Sequence, residues 1–111
     1  MIRITIFQNK EKEPVGFEAL GHAGYDVAGK DVVCAAVSVL LINTVNAVER
    51  FTGDLFSAES DEENGRLFFR FLGDYISEKG KVLLQALAFG VREIEKNYGS
   101  EYLSITEKEV S

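Results

Sequence analysis

The sequence predicts an α+β domain in which two long helices pack against a mostly antiparallel sheet, in the element order ββαββαβ. Three observations support this prediction. Short stretches alternate apolar and polar residues, two longer stretches have the length of helices, and 46% of the 111 residues are hydrophobic. The chain has one Cys, which excludes an intramolecular disulfide, so a hydrophobic core must hold the fold. We therefore expect residues 1–111 to form a single domain.

Five stretches have the alternation or the residue content of strands: 2–6, 15–20, 51–60, 66–72 and 101–106. The first has isoleucine at every second position, a period of two that indicates a half-buried strand. The polar stretch 8–14 carries the only Pro and predicts the turn of a first hairpin. The acidic stretch 61–65 ends in Asn-Gly, which predicts the turn of a second hairpin.

Two stretches predict helices. The segment 31–50 is rich in valine, which favours strands, but its length is ordinary for a helix and excessive for a strand. Asp31 is a suitable N-cap for it. Because this helix is apolar on most of its circumference, we expect it to be central to the core. A second helix is predicted from a Ser77 cap to about Tyr98, with Gly90 at a place where another backbone comes close.

The charge of the chain excludes one large class of proteins. Its 18 acidic and 12 basic residues give a net charge of −6, which argues against direct nucleic-acid binding. The longest apolar run, 32–42, is too short to span a membrane, and the N-terminus resembles a strand more than a signal peptide. A lone thiol suits a reducing compartment. We expect a cytoplasmic protein without a membrane partner.

The chain has one His and one Cys, His22 and Cys34. If Asp31 caps the first helix, Cys34 lies in its first turn, where the positive helix end and unpaired N–H groups favour a thiolate. A glycine-rich loop over 21–30 could fold His22 back over this helix start. A thiol beside an imidazole is the minimal arrangement of a cysteine hydrolase, and the same N–H groups could form an oxyanion hole.

Spacing alone favours a structural role for Cys34. A Cys between valines and alanines is usually a small core residue, and this interpretation outweighs a catalytic pair with His22. A metal site lacks the usual ligand spacing, and a redox sensor would lack a resolving Cys. We expect no metal and no other cofactor.

Two motifs carry a family resemblance. The first is GHAGY at 21–25, the second is GKDVVCAAVS at 29–38, and Thr44 and Asn46 match a downstream T-x-N element. Together they closely resemble the signature of the bacterial ribosomal-processing cysteine proteases, called Prp. In that family the pattern is GHA-G, a short loop, then G-x-D-(I/V)-V-C-A-A-V-S. The resemblance covers the whole chain, because its length and the order of its elements also agree.

The resemblance implies a specific activity. Members of this family remove a short N-terminal extension from large-subunit ribosomal protein twenty-seven, cutting after a phenylalanine. Cys34 would then be the nucleophile and His22 the general base. The implied partners are the precursor of that ribosomal protein and a second copy of the chain, as a homodimer. The alternative is a non-enzymatic ribosome-associated protein that binds the same ribosomal protein and keeps Cys34 buried.

Two further residues match the signature, each with two possible roles. Asp31 either caps the helix or orients the imidazole as the third member of a triad. Ser38 lies four residues after Cys34 and shares its helix face. Its hydroxyl either lines or hydrogen-bonds the site, or bonds back to its own helix backbone.

The glycine-rich loop also has two interpretations. Gly21, Gly24 and Gly29 would let residues 23–30 close over a peptide as a lid, with Tyr25 stacked on a substrate side chain. Alternatively, the glycines serve turn geometry alone and Tyr25 covers the helix. We favour the lid, because both ends of the loop carry catalytic candidates.

The second hairpin carries an acidic cluster made of four residues: Glu59, Asp61, Glu62 and Glu63. Ribosomal protein tails are basic, so such a cluster would speed their encounter with the protein. The alternative, favoured by the residues alone, is a solvated hairpin tip.

Overall fold

The computed structural model describes residues 1–21, 28–98 and 101–110, with the backbone alone at 28–31. The elements follow the predicted order: β1 (Ile2–Gln8), β2 (Pro14–Leu20), α1 (Ala28–Phe51), β3 (Phe56–Asp61), β4 (Arg66–Phe71), α2 (Glu78–Tyr98) and β5 (Leu103–Glu109). The strands form one sheet in the order β3-β4-β2-β1-β5. All neighbouring pairs are antiparallel except β1 and β5, which are parallel. Strand β4 runs in the same direction as β1, and the crossover helix α2 brings the chain back so that β5 runs in that direction too. The predicted α+β class is confirmed.

The core lies between one face of the sheet and the two helices. Alternate residues of the central strands are fully buried, among them Ile4, Phe17 and Phe69. The Phe69 ring packs 5.8 Å from the Phe17 ring and 5.2 Å from the Phe56 ring. The helices complete the core with one buried face each, which comprises Val33, Val37, Leu41 and Val48 of α1 and Leu84, Leu87 and Val91 of α2.

Helix α1 is longer than predicted at both ends. It begins at Ala28, so Asp31 is its fourth residue and the predicted N-cap role of Asp31 is wrong. Gly29 lies inside the helix, because one glycine near a helix end costs only about 1 kcal/mol and packing readily outweighs that cost. At the other end, Phe51 belongs to the helix and not to the strand predicted over 51–60, and β3 begins only at Phe56.

Helix α1 is also less buried than its composition suggests. Val32, Val39 and Ile42 are 55%, 69% and 52% exposed, so the expected position at the centre of the core is wrong. The segment Val32–Phe51 is long and apolar enough to cross a membrane, contrary to the estimate from the shorter apolar run. Core helices have the same length and composition, and α1 does bury one face against the sheet. The other face of α1 is therefore an exposed apolar surface.

Helix α2 starts as the sequence predicts. The backbone N–H of Gly80 donates to the Ser77 Oγ at 3.0 Å, which is the hydrogen bond of an N-cap. The Ser77 hydroxyl and backbone N–H in turn donate to the two carboxylate oxygens of Asp54, at 2.6 and 3.0 Å. Asp54 therefore ties the segment after α1 to the start of α2.

Gly90 allows the two helices to approach closely. A Cβ atom at this position would lie 2.7 Å from the Cδ2 of Leu40 on α1. The neighbour is thus a side chain, and the prediction that another backbone approaches Gly90 is wrong.

We predict that Asp54→Ala lowers the free energy of unfolding by about 1–3 kcal/mol, because it removes the acceptor of two Ser77 hydrogen bonds. Urea denaturation measures the change. Asp74→Ala is the matched control, since Asp74 is exposed and close to the same helix start in the sequence. Equal effects of the two substitutions would contradict the role given to Asp54.

Candidate active site

A cleft of about 280 Å³ opens between α1, the ends of β1 and β2, and the turn that joins β3 to β4. Its lining is mostly apolar on the sheet and helix side, with Ile2, Ala19, Val37, Leu41, Ile42 and Leu67. The remaining lining residues come from the second hairpin, Gly21 and the start of α1. This is the one described cavity that Cys34 lines.

Cys34 lies in the wall of this cleft. Its side chain is half-buried and packs against the hydrophobic core, while its other side faces the cleft. Ser38 is exposed and lines the cleft one helical turn further on. The structure therefore brings together two of the residues that the sequence singled out. Thr44, by contrast, is buried and its hydroxyl donates to the Leu40 carbonyl oxygen at 2.7 Å, a bond within its own helix.

The early start of α1 changes the expected chemistry of Cys34. The unpaired N–H groups of a helix belong to its first four residues, and the dipole effect fades beyond the first turn. Cys34 is the seventh residue of α1. The helix end that would favour a thiolate lies a turn before Cys34, and so do the N–H groups expected to form an oxyanion hole at that terminus.

Several predicted site residues lie outside what the structure describes. His22, Gly24 and Tyr25 are outside the described residues, and Asp31 is described by its backbone alone. Gly29 belongs to α1, so the loop predicted over 23–30 can extend no further than residue 27. Within the described part of the chain, no group of three metal-binding side chains occurs.

Gly21 lies at the edge of the cleft and has a conformation that suits glycine. Its φ is 116°, and a Cβ atom there would collide with the Met1 carbonyl oxygen. Its N–H donates to the Gly65 carbonyl oxygen at 2.9 Å. Gly21 thus extends the pairing of β2 with β4 into the turn that joins β3 to β4.

We predict that Gly21→Ala destabilises the protein by about 2–4 kcal/mol, since it adds a backbone collision to the strain of a positive φ. Gly73→Ala is the matched control, because Gly73 has a φ of 82° with open space around it. Thermal unfolding of both variants separates the cost of the backbone collision from the cost of the positive φ. A loss for Gly21→Ala no larger than that for Gly73→Ala would show that the collision is relieved.

The acidic hairpin forms one rim of the cleft, a position that sequence reasoning missed. Asp61 and Glu62 both line the cleft. Hydrogen bonds from the side chain and the backbone N–H of Asn64 hold the pKa of Asp61 below its usual value of 3.8. No local pattern could reveal this rim, because the hairpin and α1 meet only through the tertiary fold.

Arg66 holds the hairpin in place. Its guanidinium donates to Glu59 at 2.9 Å and to Glu18 at 2.7 Å, and these two hydrogen bonds raise the pKa of Arg66. It also lies over the Phe68 ring, 5.2 Å from the centroid. The positive charge of Arg66 also helps to lower the pKa of Asp61, the residue that faces it across the β3–β4 pair.

A lone thiol in the wall of an apolar cleft, on a small α+β scaffold, fits the class of small thiol hydrolases. The comparison with known proteins narrows this class. The family model described as cysteine protease Prp matches residues 1–103, and the chain belongs to that family. It is a cysteine protease. The non-enzymatic alternative with a buried Cys34 is therefore wrong, and Cys34 is indeed open to the cleft.

Named relatives and solved structures agree with this assignment. The ribosomal processing cysteine protease Prp of Bacillus subtilis (strain 168) is 31% identical over 101 residues, which cover 88% of this chain and 90% of that protein. A crystal structure of Prp from Staphylococcus aureus with a substrate peptide has a TM-score of 0.87 at 27% identity, covering 97% and 100% of the two chains. A Streptococcus mutans structure has a TM-score of 0.83 at 32% identity, covering 99% and 96%.

Proposed function

We propose that this protease removes the N-terminal extension from the precursor of large-subunit ribosomal protein twenty-seven, with Cys34 as nucleophile and His22 as general base. One observation carries the assignment of the nucleophile. A cysteine protease needs a thiol, the chain has one Cys, and that Cys lines the cleft. The chain also has one His, and Gly21, the residue directly before it, lines the same cleft.

The proposed reaction follows from these two groups. The imidazole of His22 takes the proton of the Cys34 thiol, and the sulfur attacks the carbonyl carbon of the scissile peptide. The C–N bond breaks, the leaving amine takes the proton from the imidazolium, and a thioester remains on Cys34. Water, deprotonated by His22, then attacks the thioester. The product acid leaves and the thiol is restored.

We also propose roles for the two supporting residues. Asp31 is not an N-cap, and we propose that its carboxylate orients the imidazole of His22 as the third member of a triad. Ser38 lies in the cleft wall one turn from Cys34, where its hydroxyl can hydrogen-bond the bound peptide.

The cleft supports the proposed substrate in two ways. Its apolar lining next to Cys34 suits a phenylalanine before the cut bond, and its acidic rim suits a basic ribosomal protein. The names of the relatives from Bacillus subtilis and Staphylococcus aureus describe ribosomal processing. We place the reaction in the cytoplasm, where ribosomal precursors are made.

We further propose that the protein is a homodimer. Apolar side chains on the outer surfaces of both helices support this, with Val39 69% and Phe89 65% exposed. Sedimentation velocity of the wild-type protein at micromolar concentration measures the oligomeric state.

Cleavage of the extended precursor tests the proposed function. We would incubate it with the folded, reduced protein and determine product masses. The expected result is a single cut after the extension's phenylalanine, and a precursor with that phenylalanine changed to alanine should be cut far more slowly. An uncut precursor would contradict the proposed substrate.

A further inference from the structure

A second groove continues the cleft along α1. It has a volume of about 320 Å³ and shares Ile42, Ser60 and Leu67 with the cleft that holds Cys34. Its remaining lining residues are Val45, Asn46, Ala58 and Glu59. The two cavities therefore form one channel between α1 and the strand pair β3–β4, with Cys34 near one end and Asn46 near the other.

The length of this channel suits an extended peptide. Twelve residues of helix separate Cys34 from Asn46, and a rise of about 1.5 Å per residue gives about 18 Å. An extended chain covers that distance in about five residues, at about 3.3 Å each. A polypeptide with its cut bond at Cys34 would thus reach Asn46 about five residues away.

The two walls offer complementary hydrogen-bonding groups. Strand β3 is at the edge of the sheet and pairs only with β4 within the described part of the chain. An edge strand directs the N–H and C=O groups of alternate residues outward, where an added strand can pair with them. On the opposite wall, the exposed Asn46 carboxamide has both donors and an acceptor, the groups that a peptide bond requires.

We propose that the substrate polypeptide lies extended in this groove, adds as a strand to the free edge of β3, and hydrogen-bonds through its main chain to Asn46. This inference rests on the proposed function and extends it. It makes Asn46 a positioning residue, and it makes the protease dependent on about five substrate residues on one side of the cut bond. Continuity with the Cys34 cleft favours the substrate as occupant over a second copy of the chain.

The apolar residues of the groove determine which substrate side chains it prefers. Ile42 and Leu67 line both cavities, and Val45 lines the second one. In an added strand, alternate side chains point to the same side. We therefore expect an apolar substrate side chain at every second position to face α1, while the residues between them face solvent.

The test compares two tryptophan substitutions on peptides of different length. Asn46→Trp fills the groove. Asn43→Trp is the matched control, because Asn43 is also exposed on α1 but lines none of the described cavities. One peptide extends six residues on both sides of the cut bond. Each of two shorter peptides keeps six residues on one side and only two on the other, so that the two peptides are shortened on opposite sides.

The expected pattern is specific to length. Asn46→Trp should lower kcat/KM by about tenfold or more for the long peptide and for the short peptide that keeps the residues bound in the groove. The other short peptide lacks those residues, so its kcat/KM should change by no more than about twofold. The wild type should cut that second short peptide about tenfold more slowly than the long one. Asn43→Trp should stay within about twofold of wild type throughout.

Four outcomes overturn the proposal. Equal rates of the wild type on all three peptides would show that the groove is unused. Equal losses of kcat/KM for Asn46→Trp on all three peptides would show that Asn46 has a structural role. A loss of activity that accompanies dissociation to monomers in sedimentation would show that a second copy of the chain covers this face. If the wild type cuts none of the peptides, the proposed function is wrong as well. If it cuts all of them at equal rates, only the proposed use of the groove is wrong.

Discussion

Cys34→Ala is expected to abolish cleavage, with a fall in kcat/KM for the extended precursor of about 10⁴-fold or more. The chain has no second thiol that could replace the nucleophile. Steady-state kinetics of the variant and of the reduced wild type measure the loss. The wild type must be kept reduced, because a disulfide between two wild-type molecules would hide its activity.

The fold should survive this substitution. Cys34 is only half-buried and alanine keeps its Cβ, so we expect a loss of stability of about 1 kcal/mol. Asn43→Ala is the control on the same helix and should retain most of the activity, because Asn43 is exposed and lines none of the described cavities. A folded Cys34→Ala variant that still cuts the precursor would refute the assignment of the nucleophile.

His22→Ala should lower kcat/KM by about 10²–10⁴-fold at pH 7. The start of α1 lies a turn before Cys34, so the helix cannot replace the imidazole as the source of activation. The loss should shrink as the pH rises, because a thiol loses its proton to the solvent at alkaline pH and then needs no general base.

The pH profile of kcat/KM therefore checks the role of His22 better than one rate. The wild type should hold its activity down to about pH 6–7, the range of an imidazole, and the variant should gain activity only near about pH 8–9. Added imidazole should restore part of the activity at neutral pH. Parallel profiles for the two proteins would contradict a general-base role.

Local patterns predicted most of the fold. The alternation in β1 and the Ser77 cap each depend on residues close in sequence, and both occur in the structure as expected. The start of α1 was misplaced because Asp31 has the properties of a cap, while the packing of the whole helix decides where it begins. The exposed face of α1 could not be predicted either, because composition does not show which apolar residues find a partner.

The candidate site could be predicted only in part, because residue spacing and the family resemblance favour different roles for Cys34. Spacing alone favoured a core role for Cys34, and the resemblance to a protease family reversed that preference. The structure explains the ambiguity, since Cys34 packs against the core on one side and lines the cleft on the other. Gly21, Asp61 and Glu62 join the cleft through contacts between residues far apart in sequence, which no spacing rule reveals.

Alkylation of Cys34 by iodoacetamide is the most direct test of the Cys34–His22 pair. The second-order rate should be measured from pH 5 to 10 for the folded wild type and for His22→Ala, by intact mass. We expect the wild type to react rapidly at neutral pH, and the variant to react far more slowly there and to approach the wild-type rate only at alkaline pH. Identical profiles, or a thiol that reacts only after unfolding, would contradict the pairing of Cys34 with His22.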